Sequence, residues 1–185
     1  MKPLPGPTGG FCTDTSATGW TLLNDATENL NGSTESHGPG GTGYVLEFDK
    51  KNGTNYTDCG AYATLTGPRR DKTGISLQGY GKRDRLVWNI YFSTTTDLAW
   101  SFVRLGTDAS NFVEFIYDDA SHASPGWTLA YTELGSTGEV TGTGLDWDDI
   151  RYICVGAEFD GEDDALADIF VEGVYLEQVE PPAAT

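Results

Sequence analysis

Positive charge is almost missing from the second half of this chain. Between residues 86 and 185 only Arg104 and Arg151 are basic, against nineteen Asp and Glu. Residues 1–85 carry nine of each sign, so the whole formal net charge of −17 arises in the second half. A surface of that sign repels nucleic acid and anionic lipid, because Lys and Arg supply most of the affinity for both. Neither nucleic acid nor membrane is expected as a partner. Histidine occurs only at His37 and His122, each in a loop-like stretch of Gly, Ser or Ala. With no nucleophile elbow or cysteine motif beside them, base-activated nucleophilic catalysis is not expected. Cysteine is scarce: Cys12, Cys59 and Cys154 contain no CxxC pair. They form neither a disulfide framework nor a zinc site. They read as reduced, mostly buried thiols, with a Cys12–Cys59 bridge as the alternative. Gly38-Pro39-Gly40-Gly41 lacks the Lys-Ser/Thr ending of a phosphate loop. No apolar run approaches a membrane helix, and the first residues lack the apolar stretch of a secretory signal.

What the chain does have is 24 Gly, 12% aromatics and many Thr among 185 residues. That composition suits short strands and tight turns and suits helices poorly. Alternation with period two recurs, the signature of half-buried strands. Tyr44, Leu46 and Phe48 share one face, as do Leu86, Trp88, Ile90 and Phe92, and Ile153, Val155, Ala157 and Phe159. Ser101–Leu105 and Asn111–Tyr117 are predicted as a hairpin around Gly106–Ser110. Trp127–Leu134 and Asp168–Leu176 are predicted strands, the latter with a bulge at Gly173. Weaker strands are predicted at Trp20–Leu23, Ala61–Leu65 and Gly74–Leu77, and a single turn capped by Asp146. About ten short strands at this spacing imply one all-β domain, an antiparallel two-sheet β-sandwich. Residues 1–10 read as an extended Pro/Gly-rich arm, 11–178 as the sandwich and 179–185 as a short tail.

From Arg85 onward the chain resembles the closing half of jelly-roll sandwiches of the lectin and carbohydrate-binding-module type. The resemblance lies in Arg85–Phe92, in Thr96-Asp97-Leu98-Ala99-Trp100, and in the hairpin containing Leu105-Gly106-Thr107-Asp108. It continues through Trp147-Asp148-Asp149-Ile150, which leads into Arg151–Phe159, and the final Asp168-Ile169-Phe170-Val171-Glu172-Gly173-Val174-Tyr175-Leu176. Similar domains occur in tailed-phage virions as capsid decoration proteins and parts of tail fibres. The resemblance implies the fold; function must be argued from a site.

The first functional expectation is a non-enzymatic virion protein, assembled in the host cytoplasm, that decorates the outer capsid surface. Lys2, Pro3, Leu4, Pro5 and Pro7 would dock on the major capsid protein. The basic Arg69, Arg70, Lys82 and Arg83 would meet the acidic half of a neighbouring copy, with a homotrimer as the expected assembly. The second expectation is a carbohydrate-binding module or receptor-binding fibre domain, with Trp100 and Trp127 as flat platforms for a glycan. Glu114 and Glu158 interrupt apolar strands and read as outward-pointing; a glycosidase pair is the alternative reading. No cofactor is expected. The acidic stretch Asp160–Asp164 reads as a solvated loop, and Asp168 is the position at which the resemblance would place a structural calcium ion.

Overall fold

The computed structural model describes residues 1–7, 10–25, 27–34, 43–52, 58–65, 74–118, 125–136, 139–160 and 166–179. Among them are twelve strands and no helix. In chain order these are β1 (Lys2–Pro3), β2 (Trp20–Leu22), β3 (Thr27–Ser33), β4 (Val45–Lys50), β5 (Asp58–Thr64) and β6 (Arg85–Phe92). They continue with β7 (Leu98–Asp108), β8 (Asn111–Asp118), β9 (Gly126–Glu133), β10 (Val140–Thr141), β11 (Tyr152–Phe159) and β12 (Leu166–Glu177). One sheet runs β3-β4-β12-β6-β9 with β1 also paired to β12, and the other runs β10-β8-β7-β11-β5-β2. Every pairing is antiparallel. The molecule is the antiparallel two-sheet sandwich that the alternation implies.

The inward residues of both sheets form one core. Leu46 and Phe48 of β4, Leu86, Trp88, Ile90 and Phe92 of β6, and Ile169 and Val171 of β12 face Cys59, Ala61 and Ala63 of β5 and Ile153, Val155 and Ala157 of β11. The Trp88 indole N–H reaches across to the Ser101 hydroxyl at 3.1 Å, so the largest core side chain buries no unpaired donor. In β12 the register shifts between Val171 and Gly173. The bulge explains why Ile169 and Val171 point inward and then, out of phase, Val174 and Leu176 do so.

Three local readings differ from the structure. The N-terminal segment is extended, but it is folded onto its own sandwich: Lys2 and Pro3 pair with Leu176 and Tyr175. The Leu4 amide then donates to the Val174 carbonyl at 2.8 Å, and the Leu4 side chain is 4% exposed in the core. Burying an apolar side chain outweighs the freedom lost by a segment that its prolines already stiffen. Gly74–Leu77 provides only an isolated bridge, Ile75 to Ile150, rather than a strand. Conversely, Thr27–Ser33 is an edge strand although its sequence is polar and unpatterned. All three cysteines are buried and free, so the Cys12–Cys59 bridge does not form.

Candidate functional site

The second sheet has two covered faces, and the outer one is unusual. Residues Tyr152–Ala157 of β11 are buried without a break, so the set facing away from the core is covered too. Pairing across β5, β11, β7 and β8 arranges that outer face as a grid. One row is Asp58, Glu158, Trp100 and Asp118, and the next is Gly60, Gly156, Phe102 and Ile116. The third is Tyr62, Cys154, Arg104 and Glu114, and the fourth is Thr64, Tyr152, Gly106 and Phe112. Strand spacing near 4.8 Å and a two-residue repeat near 6.8 Å make this a patch of roughly 14 by 20 Å.

Phe102, Tyr152 and Cys154 form a small buried cluster of their own, with Leu23, Tyr62, Trp100 and Phe112 half-buried around it. Tyr152 bridges Tyr62 and Phe112, with ring centroids 5.8 and 6.0 Å apart. At the other end stands Trp100, whose indole N–H is buried and finds no acceptor among the described residues. A buried Trp N–H usually has a partner, so this donor is unspent.

Arg104 lies down across the grid. Its guanidinium carbon sits 4.2 Å from the Phe102 ring centre and 5.3 Å from that of Phe112. Nε donates to Glu114 at 2.6 Å and Nη2 to Asp58 at 3.0 Å, two rows away. The glycine pair of the second row is what leaves room. A Cβ on Gly156 would collide with the Cys59 carbonyl oxygen and the Phe102 ring, and one on Gly60 with the Val155 carbonyl oxygen. Burial, followed by the nearby charges and bonding of Asp58 and the charge of Glu114, pushes the Glu158 carboxyl up to about 7. Burial likewise pushes the Cys154 thiol up to about 12, which leaves it an inert protonated side chain. The face therefore offers aromatic walls, acceptor-rich carboxylates and one committed cation.

The two tryptophans expected to serve as platforms are separated. Trp100 belongs to this face, whereas Trp127 lies in β9 of the other sheet, against Tyr91 at 5.7 Å and Phe170 at 6.5 Å. Trp20 is buried on Phe11 and donates to its carbonyl at 2.8 Å. Glu114 and Glu158 are both on the outer face, as expected; Arg104 bonds Glu114 and Asp58, and the charges of Asp58, Glu114 and Arg104 all act on Glu158. The docking arm is corrected: Leu4 is consumed by the core and Pro5 and Pro7 are half-buried, leaving Lys2 and Pro3 exposed at a sheet edge. Lys82 and Arg83 lie exposed on the turn before β6; Arg69, Arg70, His37, His122 and most of the Asp160–Asp164 loop lie outside the described residues.

Asp168 is exposed and groups with Glu47 and Asp49, their carboxylate oxygens within 4.8 Å of one another. Its amide donates to Asp49 at 2.9 Å, and Asn29 donates to the other Asp49 oxygen at 2.6 Å. Asp49 already accepts two hydrogen bonds, so an ion held by these three carboxylates would need further oxygens, from water or backbone, to reach the six to eight that calcium takes.

Period-two alternation marks the face of a strand turned to the core and is silent on which opposite face is also covered. A signal existed in β7 and β8: the residues between the inward ones, Trp100, Phe102 and Phe112, are as apolar as the inward set.

No protein-family profile matches this chain, and no curated protein matches it in sequence. Solved structures match in fold. A carbohydrate-binding module of the β-sandwich superfamily, studied for promiscuous specificity, superposes with a TM-score of 0.56 at 10% identity, over 91% of this chain and 64% of that one. A family 30 carbohydrate-binding module gives 0.58 at 11%, over 91% and 96%. An exo-β-agarase gives 0.60 at 10%, over 98% of this chain and 25% of the agarase. The chain thus spans less than two thirds of the first structure, a quarter of the agarase and nearly all of the family 30 module. At such identity the likeness is one of fold.

Proposed function

We propose that this chain is a non-catalytic carbohydrate-binding module and that its site is the outer face of β5, β11, β7 and β8. The observation that carries the reading is the set of half-buried aromatic side chains, Tyr62, Trp100 and Phe112, arranged around hydrogen-bonding carboxylates outside the main core. A sugar ring has an apolar C–H face and a rim of hydroxyls. Aromatic faces accept the first, and charged acceptors hold the second in place. The shared fold with carbohydrate-binding modules supports the reading at the level of architecture.

A hydrolytic alternative would require Glu114 to act as a base. Its carboxylate is instead engaged by Arg104 Nε at 2.6 Å in a half-buried ion pair. The virion reading, with the major capsid protein as partner and a trimer as assembly, has lost its free arm and now rests on the family resemblance.

Affinity electrophoresis through gels containing soluble polysaccharides tests the proposal. The protein should be retarded by at least one glycan. Trp100→Ala should lose tenfold or more in affinity, the usual scale for an aromatic anchor, and Trp127→Ala should match the wild type. Free migration in every gel, or an unaffected Trp100→Ala variant, would sink it.

A further inference from the structure

We infer that this face selects neutral, hydroxyl-rich glycans and rejects those carrying carboxylate or sulfate groups, and that Asp58, Glu114 and Glu158 impose the selection. The inference rests on the glycan-binding proposal and deepens it.

Arg104 is the only basic residue on the grid. Recognition of an acidic sugar needs a cation free to form a paired contact with it. Arg104 is spent: Nε is on Glu114, Nη2 on Asp58, and the guanidinium lies against the Phe102 and Phe112 rings. Its side chain is 14% exposed. Around it stand three carboxyl groups, with Asp118 closing the first row. When all are ionised, which for Glu158 requires a pH above about 7, negative charge exceeds positive locally. The field beyond the site has the same sign, since nineteen of the 28 acidic residues lie between 86 and 185.

Hydrogen-bond direction points the same way. Ionised carboxylates only accept, so they need donors from the ligand. A sugar hydroxyl is a donor. A carboxylate or sulfate group in place of one of those hydroxyls offers only acceptors and adds negative charge. An anionic sugar arriving at this face would meet repulsion from the carboxylates and would lose the donor of each hydroxyl that the anionic group replaces. Neutral sugars meet neither penalty.

Chemically matched polysaccharides isolate the charge. Hydroxyethyl cellulose and carboxymethyl cellulose share a backbone, as do methyl-esterified polygalacturonate and its de-esterified form. Affinity electrophoresis with each pair, using Trp100→Ala as the mobility baseline, should show at least tenfold tighter binding to the neutral member of any pair that binds. In the double variant Glu114→Gln/Glu158→Gln the gap should narrow at least threefold, with circular dichroism checking that the fold persists. A purely structural role would weaken both members equally, and that result would overturn the inference. Equal binding of both members by the wild type would overturn it while leaving glycan binding intact. Binding of anionic members alone would overturn this inference and leave glycan binding standing, whereas failure of every glycan, neutral and anionic, would remove the parent reading and this one with it.

Discussion

Glu158 and Asp58 sit directly opposite each other on neighbouring strands, an arrangement that costs energy when both are ionised. Burial and these neighbours raise the Glu158 carboxyl from an ordinary value to about 7. In the unfolded chain it would ionise near pH 4.5, so between 4.5 and 7 the folded protein holds a proton that the unfolded one has released. Stability linked to this group is therefore complete below pH 4.5 and is lost as pH rises through 7. Glu158→Gln should be close to neutral at pH 4.5. At pH 8 it should raise the melting temperature by about 2–4 °C, the shift of roughly 1 kcal/mol in a domain this size after allowing for solvent screening. Thermal melts at the two pH values check it; an equal gain at both would contradict the pairing. Other residues were legible from the sequence: buried, unpaired cysteines and an inward Trp88 followed directly from their patterns.

At the scale of elements, the strands that alternate were the ones the sequence disclosed. β6, β11 and β12 appear where their inward residues predicted them, and the Gly173 bulge is present. β3 was illegible because an edge strand needs only one well-covered neighbour, and among Thr27–Ser33 only Thr27 and Gly32 are buried. β1 was illegible because its prolines read as a free arm, while the contact that fixes it is Leu4 entering a core built from residues far along the chain. Leu4→Ala should cost about 2–3 kcal/mol, within the usual span for a leucine removed from a core. Denaturant unfolding measures it, and an unchanged midpoint would mean that the segment is not anchored. The second-row glycines make a further element-scale test. Gly156→Ala should destabilise by about 1–3 kcal/mol, because an added Cβ collides with the Cys59 carbonyl and the Phe102 ring.

For the molecule as a whole, composition and alternation foretold two sheets and an acidic second half, but not which outer surface would carry function. Trp100 was marked out by its size, yet it is the register of four strands that brings Tyr62, Phe112, Arg104 and Glu158 onto the same face. Register depends on pairing between distant segments, and no local pattern states it. For the same reason Trp127, which looked equivalent in sequence, ended in the opposite sheet. The fold places its charge, its aromatic walls and its committed arginine together on one face, and the account requires that this face meet the ligand. The direct test is a ¹⁵N correlation spectrum recorded during titration with a neutral oligosaccharide, cellohexaose first, matched to whichever polysaccharide retards the protein. Shifts should concentrate on the Trp100 indole and on the amides of β5, β11, β7 and β8; shifts centred on Trp127 and β9, or none at saturating ligand, would contradict the account.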